Sequence, residues 1–323
     1  MKSRILIISH NFLGFRCLKK MLETGFVVIG VISKEKKKTE IISDYCDSFE
    51  NFCKKTGIPF HKFQNINKPE AIATIRLLAP EIILVLGWSQ IIKDEIFSIP
   101  KKGIFGSHPS LLPKNRGNAV IPWQIINNEK ESGFTFFRLE PNKPVDSGDI
   151  YAQKKFNLEV NETANSFYEK AVCAAEEIIE RDLEGILLGK KVGIVQDEQM
   201  ATYLGKRKPE DGKIDWAGDA EYIERFVRAV GNPYPGAFTY FKYNKIIVKC
   251  VKVSRKTNYI GVTGSVLKSD EKSILVQCGR GLLEIESLSD EFGKQIPLDS
   301  IKPGSKFGID IENEVYMLKN VRE

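Results

Sequence analysis

An uninterrupted apolar run at residues 82–86, IILVL, limits what this chain can fold into more than any other feature. Turn residues bound the run on both sides, because it follows Pro80-Glu81 and ends at Gly87. A strand with one face in water alternates apolar and polar residues, whereas a strand covered on both faces is apolar throughout. Residues 82–86 therefore predict a strand in a sheet with helices on both faces.

The first 33 residues predict a strand, a helix and a second strand. Apolar residues fill positions 5–8 and 26–32, and residues 12–24 carry apolar side chains at helical spacing. The first turn holds Gly14 alone instead of GxGxxG, so a nicotinamide cofactor is not implied. Later stretches continue the pattern, with helices predicted at 42–55, 68–78, 119–128 and 164–188 and strands at 133–139 and 150–156. The pattern predicts an α/β domain.

A second, smaller domain is predicted after a polar connection. Residues 196–216 are charged and lack a long apolar period, which favours a linker. A helix predicted at 220–230 is followed by short predicted strands at 238–241, 245–253, 264–268, 273–277 and 282–287. Such closely spaced strands favour a small OB-like β-barrel. We therefore divide the chain into an N-terminal α/β domain (1–195), a linker (196–216) and a C-terminal β-barrel domain (217–323).

Composition excludes several classes of protein. No run reaches the roughly 20 apolar residues that a membrane span needs, and the apolar run at 5–8 is too short for a signal peptide, so a cytoplasmic location is expected. The six cysteines include no CxxC pair, which favours reduced thiols without a metal. A net charge of +6 fits a phosphate-bearing substrate better than a nucleic acid. The basic run at 34–38 is interpreted as a solvated loop tip.

A histidine-containing stretch at 106–117, GSHPSLLPKNRG, predicts a shaped loop because it is poor in helix and strand formers. A short apolar step at 103–106 leads into it, and Gly87 begins the loop after the strand at 82–86. Both loops are expected at one edge of the sheet, where ligands bind in open α/β folds.

The GSHPSLLPKNRG stretch and the sequence VDSGD at 145–149 together resemble the formyltransferases that use 10-formyltetrahydrofolate. The segments PEDGKIDW at 209–216 and PYPGAF at 233–238 resemble the two-domain members of that family. The resemblance implies a Rossmann-like formyltransferase domain and transfer of a formyl group from folate to an amine. It also implies that His108 acts as general acid/base and that Asp146 orients it, which suits a side chain able to exchange protons near neutral pH.

One position departs from the family pattern. The family carries an asparagine two residues before the histidine, where it donates to the oxyanion, and this chain has Gly106. Losing such a donor costs about 10²–10³-fold in rate where nothing replaces it. The candidates for a replacement are Ser107, a backbone N–H, protonated His108 or a water molecule.

The resemblance also assigns ligand-binding residues. The folate is expected against Leu86, Gly87, Trp88 and Ile91, with residues 140–146, including Glu140 and Asp146, closing the other side. From their own places and chemistry, Ser110, Arg116, Gly117, His10 and Tyr234 are expected near the acceptor: Arg116 suits an anionic ligand, and His10 ends the first strand, where ligands gather. Three of these assignments have structural alternatives: Trp88 as core, Arg116 in a salt bridge that ties the loop, and His10 as the cap of a turn.

Three functions remain open. The favoured one is formylation of the amine of a nucleotide-linked amino sugar. A methionyl-tRNA formyltransferase would need a broad basic surface, and a non-catalytic ligand-binding relative would account for Gly106. The oligomeric state stays open, with a homodimer as one alternative.

Overall fold

The computed structural model describes residues 3–36 and 45–308, together with Val315, Leu318 and Lys319. Lys37 and Lys38 of the basic run lie outside the described residues, as do residues 42–44 of the helix predicted at 42–55. The rest of that prediction shortens to a helix at Ser48–Thr56. Among the described helices, none combines the length and apolar character needed to cross a bilayer.

Within the described residues, two sheets in the first part of the chain contain nine strands. Their bounds are β1 (Arg4–Ile8), β2 (Val27–Lys34), β3 (Phe60–Phe63), β4 (Ile82–Val85), β5 (Ile104–His108), β6 (Arg116–Gly117), β7 (Glu131–Leu139), β8 (Ile150–Asn157) and β9 (Tyr203–Leu204). The helices of this part are α1 (Phe12–Glu23), α2 (Ser48–Thr56), α3 (Pro69–Leu78), α4 (Asp94–Phe97), α5 (Val120–Ile126) and α6 (Ala164–Leu187).

The main sheet has the strand order β3-β2-β1-β4-β5-β7-β8. The five strands from β3 to β5 are parallel, and β7 and β8 continue the sheet in antiparallel pairing. The chain reverses its direction of winding between β1 and β4, so a crevice is expected outside the carboxyl ends of these two strands. The parallel pairing of β4 with β5 confirms that the loops after them leave the same edge.

Both faces of the main sheet are covered. On one face Leu6 and Val85 pack in a cluster with Ile72 of α3 and Ile96 of α4. On the other face Phe105 and neighbouring strand residues meet side chains of α6. All four residues of β4 are buried, which confirms the strand predicted from the apolar run at 82–86. Burying each such aliphatic side chain stabilises the fold by about 1.5–3 kcal/mol.

The prediction that 106–117 is a loop throughout is wrong at its two ends. Residues 106–108 complete β5, and His108 pairs with Thr135 of β7. Arg116 and Gly117 form β6, which pairs with Tyr203 and Leu204 of β9. Sheet pairing to distant segments outweighs the weak strand propensity of glycine, serine and histidine. Only residues 109–115 therefore form the shaped loop. We use the name His loop for residues 109–117, which comprise this loop and β6.

The chain divides into two compact units. The first consists of Met1–Val120, Lys130–Leu158 and Ser166–Lys206, and the second of Ile121–Glu129, Glu159–Asn165 and Arg207–Glu323. The segment predicted as a linker, 196–216, is thus divided between the two units. The domain boundaries at 195 and 216 stay predictions.

The second unit contains the helix α7 (Ala220–Val230) and five strands in one antiparallel sheet. These are β10 (Ala237–Phe241), β11 (Asn244–Ser254), β12 (Val266–Ser269), β13 (Ile274–Gln277) and β14 (Leu282–Asp290), in the order β10-β11-β14-β13-β12. The indole Nε1 of Trp216 donates to Thr239 Oγ1 over 2.9 Å inside this unit. A mixed α/β domain followed by a β-sheet domain agrees with the predicted fold class.

Candidate active site

His108 stands at the carboxyl end of β5 and is 5% exposed. Its Nδ1 lies 3.4 Å from Asp146 Oδ2, and its Nε2 lies 2.7 Å from the backbone oxygen of Asn115. A carbonyl oxygen can only accept, so Nε2 carries the proton of that hydrogen bond. Nδ1 also faces an oxygen, so the ring lies between two acceptors, the Asp146 carboxylate and the Asn115 carbonyl.

Asp146 comes from the loop between β7 and β8, which we call the Asp loop (140–149). Its φ is +58°, a left-handed conformation that aspartate adopts more readily than most residues. Its Oδ2 also accepts from the backbone N–H of Gly117 over 2.9 Å. One carboxylate oxygen therefore contacts both the histidine ring and the end of the His loop, as the predicted pairing of His108 with Asp146 requires.

Gly148 allows the Asp loop to pass close to β7. A Cβ built on Gly148 would lie 1.7 Å from the backbone oxygen of Arg138. Any side chain at this position would force the loop away from the strand. The glycine in VDSGD thus contributes to the position of Asp146, two residues earlier.

The His loop is held by hydrogen bonds from several directions. Ser110 Oγ donates to the backbone oxygen of Lys114 over 2.7 Å, and Thr135 Oγ1 donates to the backbone oxygen of Ser110 over 2.6 Å. Asn115, at φ +62°, donates its backbone N–H to Thr202 Oγ1 over 2.8 Å. These bonds aim the Asn115 carbonyl at His108. In this structure the Ser110 hydroxyl serves the loop, and contact of Ser110 with substrate stays a prediction.

Arg116 is fully buried and bound by the segment that precedes and includes β9. Its guanidinium donates to Glu198, to the hydroxyl of Tyr203 and to Gln196 Oε1, at distances between 2.8 and 3.1 Å. These hydrogen bonds hold the pKa of the Glu198 carboxyl below its usual value. Of the two interpretations of Arg116, the contacts match the loop tie, and binding of an anionic ligand stays a prediction.

The space beside Gly106 is apolar. A Cβ on this residue would lie 2.9 Å from Leu139 Cδ2 and 3.0 Å from Phe137 Cζ. The place into which the family asparagine would project is therefore filled. Among the candidate replacements, Ser107 Oγ accepts from Gly87 N–H at 3.4 Å, and the oxyanion donor stays a prediction.

The residues predicted to hold folate line the exit of β4. Leu86 is fully buried, Gly87 has φ +59°, and Ile91 is 81% exposed. The indole Nε1 of Trp88 is buried and has no hydrogen-bond partner within the described residues. Asn11 Nδ2 donates to the backbone oxygen of Gly87 over 3.2 Å and so connects the ends of β1 and β4.

His10 lies next to this loop, in an aromatic cluster. Its ring centroid is 5.3 Å from that of Trp88 and 6.1 Å from that of Tyr45. The cap at the start of α1 is the neighbouring Asn11, whose Oδ1 accepts from the N–H of Gly14. Asn11 therefore supplies the cap that was considered for His10. Substrate contact by His10 stays a prediction.

Two further predicted residues have other partners in the structure. Glu140, at the start of the Asp loop, forms an ion pair with Lys143 of the same loop. Tyr234 belongs to the second unit, where its backbone N–H donates to the oxygen of Gly231 over 2.9 Å. Their contacts with ligands stay predictions.

All six cysteines are free thiols. Burial raises the pKa of Cys53 and of Cys278 to about 12, so these thiols are weak nucleophiles near neutral pH. Within the described part of the chain, no group of three histidine, cysteine or acidic side chains could hold a metal ion.

Sequence reasoning missed the residues that hold the two loops. Thr202 comes directly before β9 and Gln196 lies seven residues before its start, both within the segment predicted as a linker. A single glutamine in a polar segment gives no periodic signal, and its role depends on partners far away in the chain.

The family profile for Formyl transferase matches residues 3–183, and the profile for the Formyl transferase C-terminal domain matches residues 206–306. The chain belongs to the formyl transferase family, which confirms the resemblance, and it is a formyl-transferring enzyme. It is 30% identical over 303 residues to a methionyl-tRNA formyltransferase of Geobacter sulfurreducens, covering 91% of this chain and 94% of that protein.

Solved structures share the fold. WlaRD, a sugar 3N-formyltransferase crystallised with dTDP and 5-N-formyl-tetrahydrofolate, matches with a TM-score of 0.63 and 21% identity over 88% of this chain and 98% of its own. HypX from Aquifex aeolicus in complex with tetrahydrofolic acid matches with a TM-score of 0.66 and 18% identity. That match covers 93% of this chain and 47% of HypX, so the chain spans about half the length of HypX.

Proposed function

We propose that the protein transfers the formyl group of 10-formyltetrahydrofolate to the amine of a nucleotide-linked amino sugar. The observation that carries the catalytic part is the meeting of His108 and Asp146, 3.4 Å apart, at the carboxyl edge of a parallel sheet. The sugar-nucleotide acceptor is supported by the fold shared with WlaRD, a sugar N-formyltransferase solved with dTDP.

The transfer exchanges one carbon–nitrogen bond for another. The acceptor amine attacks the formyl carbon, the bond from that carbon to N10 of the folate breaks, and the amine proton ends on N10. His108, protonated before the attack, gives its proton to N10 as that bond breaks and takes the amine proton in return, so the net transfer runs from the amine to N10, and Asp146 stabilises the charged ring. Because Nε2 contacts the Asn115 carbonyl, we propose that substrate replaces that carbonyl when it binds.

The oxyanion needs a donor that does not come from position 106. A protonated His108 supplies a positive charge beside the formyl carbon, and such electrostatic stabilisation is a large part of acyl transfer. The same ring would therefore stabilise the oxyanion and move the proton. The apolar neighbours of Gly106 support this assignment, because Leu139 and Phe137 crowd the place where a side chain at this position would begin.

Methionyl-tRNA is the second candidate acceptor, favoured by the 30% identity to the Geobacter enzyme. Against it, many basic side chains face acidic partners and add little to a basic surface. Examples among the described residues are Lys62 with Glu50, Lys154 with Glu177, Lys155 with Glu131, Lys252 with Glu286 and Lys256 with Glu284. A tRNA site needs unneutralised lysine and arginine along a continuous surface.

A paired assay distinguishes the acceptors. The protein is incubated with 10-formyltetrahydrofolate and either a panel of nucleotide-linked amino sugars or methionyl-tRNA, and the formylated product is measured between 50 and 200 mM salt. We expect a sugar product whose rate changes little with salt. A tRNA product whose formation falls steeply with salt, through counterion release, would replace the proposal with the second candidate. No formylation of either acceptor would reject both.

A further inference from the structure

Gln196 contacts the His loop and the Asp loop but belongs to neither. Its side chain is buried, and its Nε2 donates to the backbone oxygens of Asp146 and Gly148, over 2.7 Å in each case. Its Oε1 accepts from Arg116 Nε at 3.1 Å and from Arg116 Nη2 at 2.8 Å. One amide group therefore connects two loops that are far from it along the chain.

Gln196 binds the residues, or their neighbours, that contact the two ring nitrogens of His108. The Asp loop places the carboxylate of Asp146 at Nδ1, and Gln196 binds the backbone oxygen of that same residue. The His loop places the Asn115 carbonyl at Nε2, and Gln196 binds the side chain of the next residue, Arg116. A change at Gln196 would therefore alter the partners of the ring on both sides.

The polarity of the amide fits these partners in one orientation only. The two carbonyl oxygens at Nε2 can only accept, and the guanidinium at Oε1 can only donate. A carboxylate at position 196 would keep the guanidinium contact and turn an acceptor toward the two carbonyls. Gln196→Glu therefore separates the two functions of the amide, losing the tie to the Asp loop and keeping the tie to Arg116.

We propose that Gln196 is a positioning residue for formyl transfer, which holds Asp146 at the distance from His108 that the reaction needs. The proposal rests on the proposed catalytic roles of His108 and Asp146. Gln196 acts through the loops and touches no reacting atom. Displacing a reacting group by about 1 Å can lower the rate about 10²-fold, so a loose Asp loop is expected to affect kcat more than KM.

The test compares Gln196→Glu with Gln277→Glu in the full-length protein. Gln277 is a matched control in the second unit, because its Nε2 also donates to two backbone oxygens, those of Cys278 and Gly281, and its Oε1 accepts from Gly261 N–H. We expect Gln196→Glu to lower kcat for formyl transfer about 10- to 100-fold with KM for the folate changed less than threefold. We expect Gln277→Glu to leave both constants within twofold.

A spectroscopic measurement separates this proposal from the proposed function. The chain has only three histidines, so ¹⁵N resonances of the His108 ring can be assigned with single His→Asn variants. We expect Gln196→Glu to shift the Nδ1 resonance of His108, because its carboxylate partner moves, even if His108 proves not to be catalytic. A full rate in His108→Asn would reject the proposed function and leave this measurement intact.

A second variant covers the case in which Gln196→Glu does not fold. Thr202 is exposed, and Thr202→Val replaces with a methyl group the hydroxyl that accepts from the N–H of Asn115. We expect it to fold normally and to shift the Nε2 resonance of His108, because the Asn115 carbonyl moves. If the folded variants leave the ring resonances and kcat unchanged, the positioning proposal is overturned.

Discussion

Phe137 and Gly106 face each other across β7 and β5, and the phenyl ring lies where a side chain at position 106 would begin. A family position that carries an amide donor is thus glycine here, with an apolar neighbour. The two residues form a matched pair: the ring fills the space, and the glycine leaves room for the ring. The chemistry of the site has to proceed without that amide.

Restoring the family residue alone is expected to fail. In Gly106→Asn the new Cβ would lie 2.9 Å from Leu139 Cδ2 and 3.0 Å from Phe137 Cζ, closer than carbon atoms normally approach. We therefore expect the free energy of unfolding to fall by about 1–3 kcal/mol and the rate of formyl transfer not to rise. Urea denaturation and the formylation assay measure the two effects.

Gly205→Ala is the control, because a Cβ there meets no atom within 4 Å. The double variant Gly106→Ala/Leu139→Ala should lose less free energy of unfolding than the two single variants together, because the shorter side chain at 139 makes room for the new Cβ. A stable Gly106→Asn variant with a higher rate would show that the amide has room after all.

Gly148→Ala is expected to damage both stability and catalysis. Its Cβ would collide with the backbone oxygen of Arg138, which cannot move without breaking the pairing of β7. We expect the free energy of unfolding to fall by more than about 2 kcal/mol, which is large for a single methyl group. We also expect kcat to fall, because Asp146 shifts. Gly293→Ala, in an open turn, should cost only the strain of a positive φ, about 1 kcal/mol. Equal thermal shifts in the two variants would contradict the close approach of the Asp loop to β7.

A buried carboxylate near the end of α6 should make stability depend on pH. Burial by itself would raise the pKa of Asp182, but hydrogen bonds from Arg181 and Lys191, both 2.6 Å long, outweigh it and leave the pKa below its usual value. A lowered pKa stabilises the folded state above the unfolded value of about 3.9, and this stabilisation is lost as the pH falls through the folded value.

Asp182→Asn should therefore lower the free energy of unfolding by about 1–3 kcal/mol at pH 7. The difference in the free energy of unfolding between this variant and the wild type should become smaller below about pH 4. Asp94→Asn, on an exposed side chain of α4, is the control and should show little difference at either pH. A constant difference between pH 7 and pH 3 would contradict the ion-pair assignment.

The elements that the sequence predicts well are those whose own residues decide them. The helix α7 has the predicted bounds, because Ile223, Phe226, Val227 and Val230 repeat at helical spacing and are buried. The strand β4 was predictable from its continuous apolar composition. In both cases burial of one local pattern fixes the structure.

The arrangement of the site depends on distant partners, and there the sequence is less informative. His108 belongs to β5 because of its pairing with Thr135, which local propensity does not reveal. Gln196 lies in a polar segment whose composition predicts a linker. Its importance arises from two carbonyl groups of the Asp loop and from the guanidinium of Arg116. The pairing of His108 with Asp146 was expected from the resemblance, not from spacing.

The most direct test of the account is the rate of formyl transfer in His108→Asn, with His61→Asn as the matched histidine control on β3. General acid–base catalysis contributes about 10²–10⁴-fold, so we expect His108→Asn to lose at least about 100-fold in kcat with folding retained, and His61→Asn to keep the wild-type rate. A His108→Asn variant that formylates its acceptor as fast as the wild type would contradict the assignment of His108 as the catalytic group.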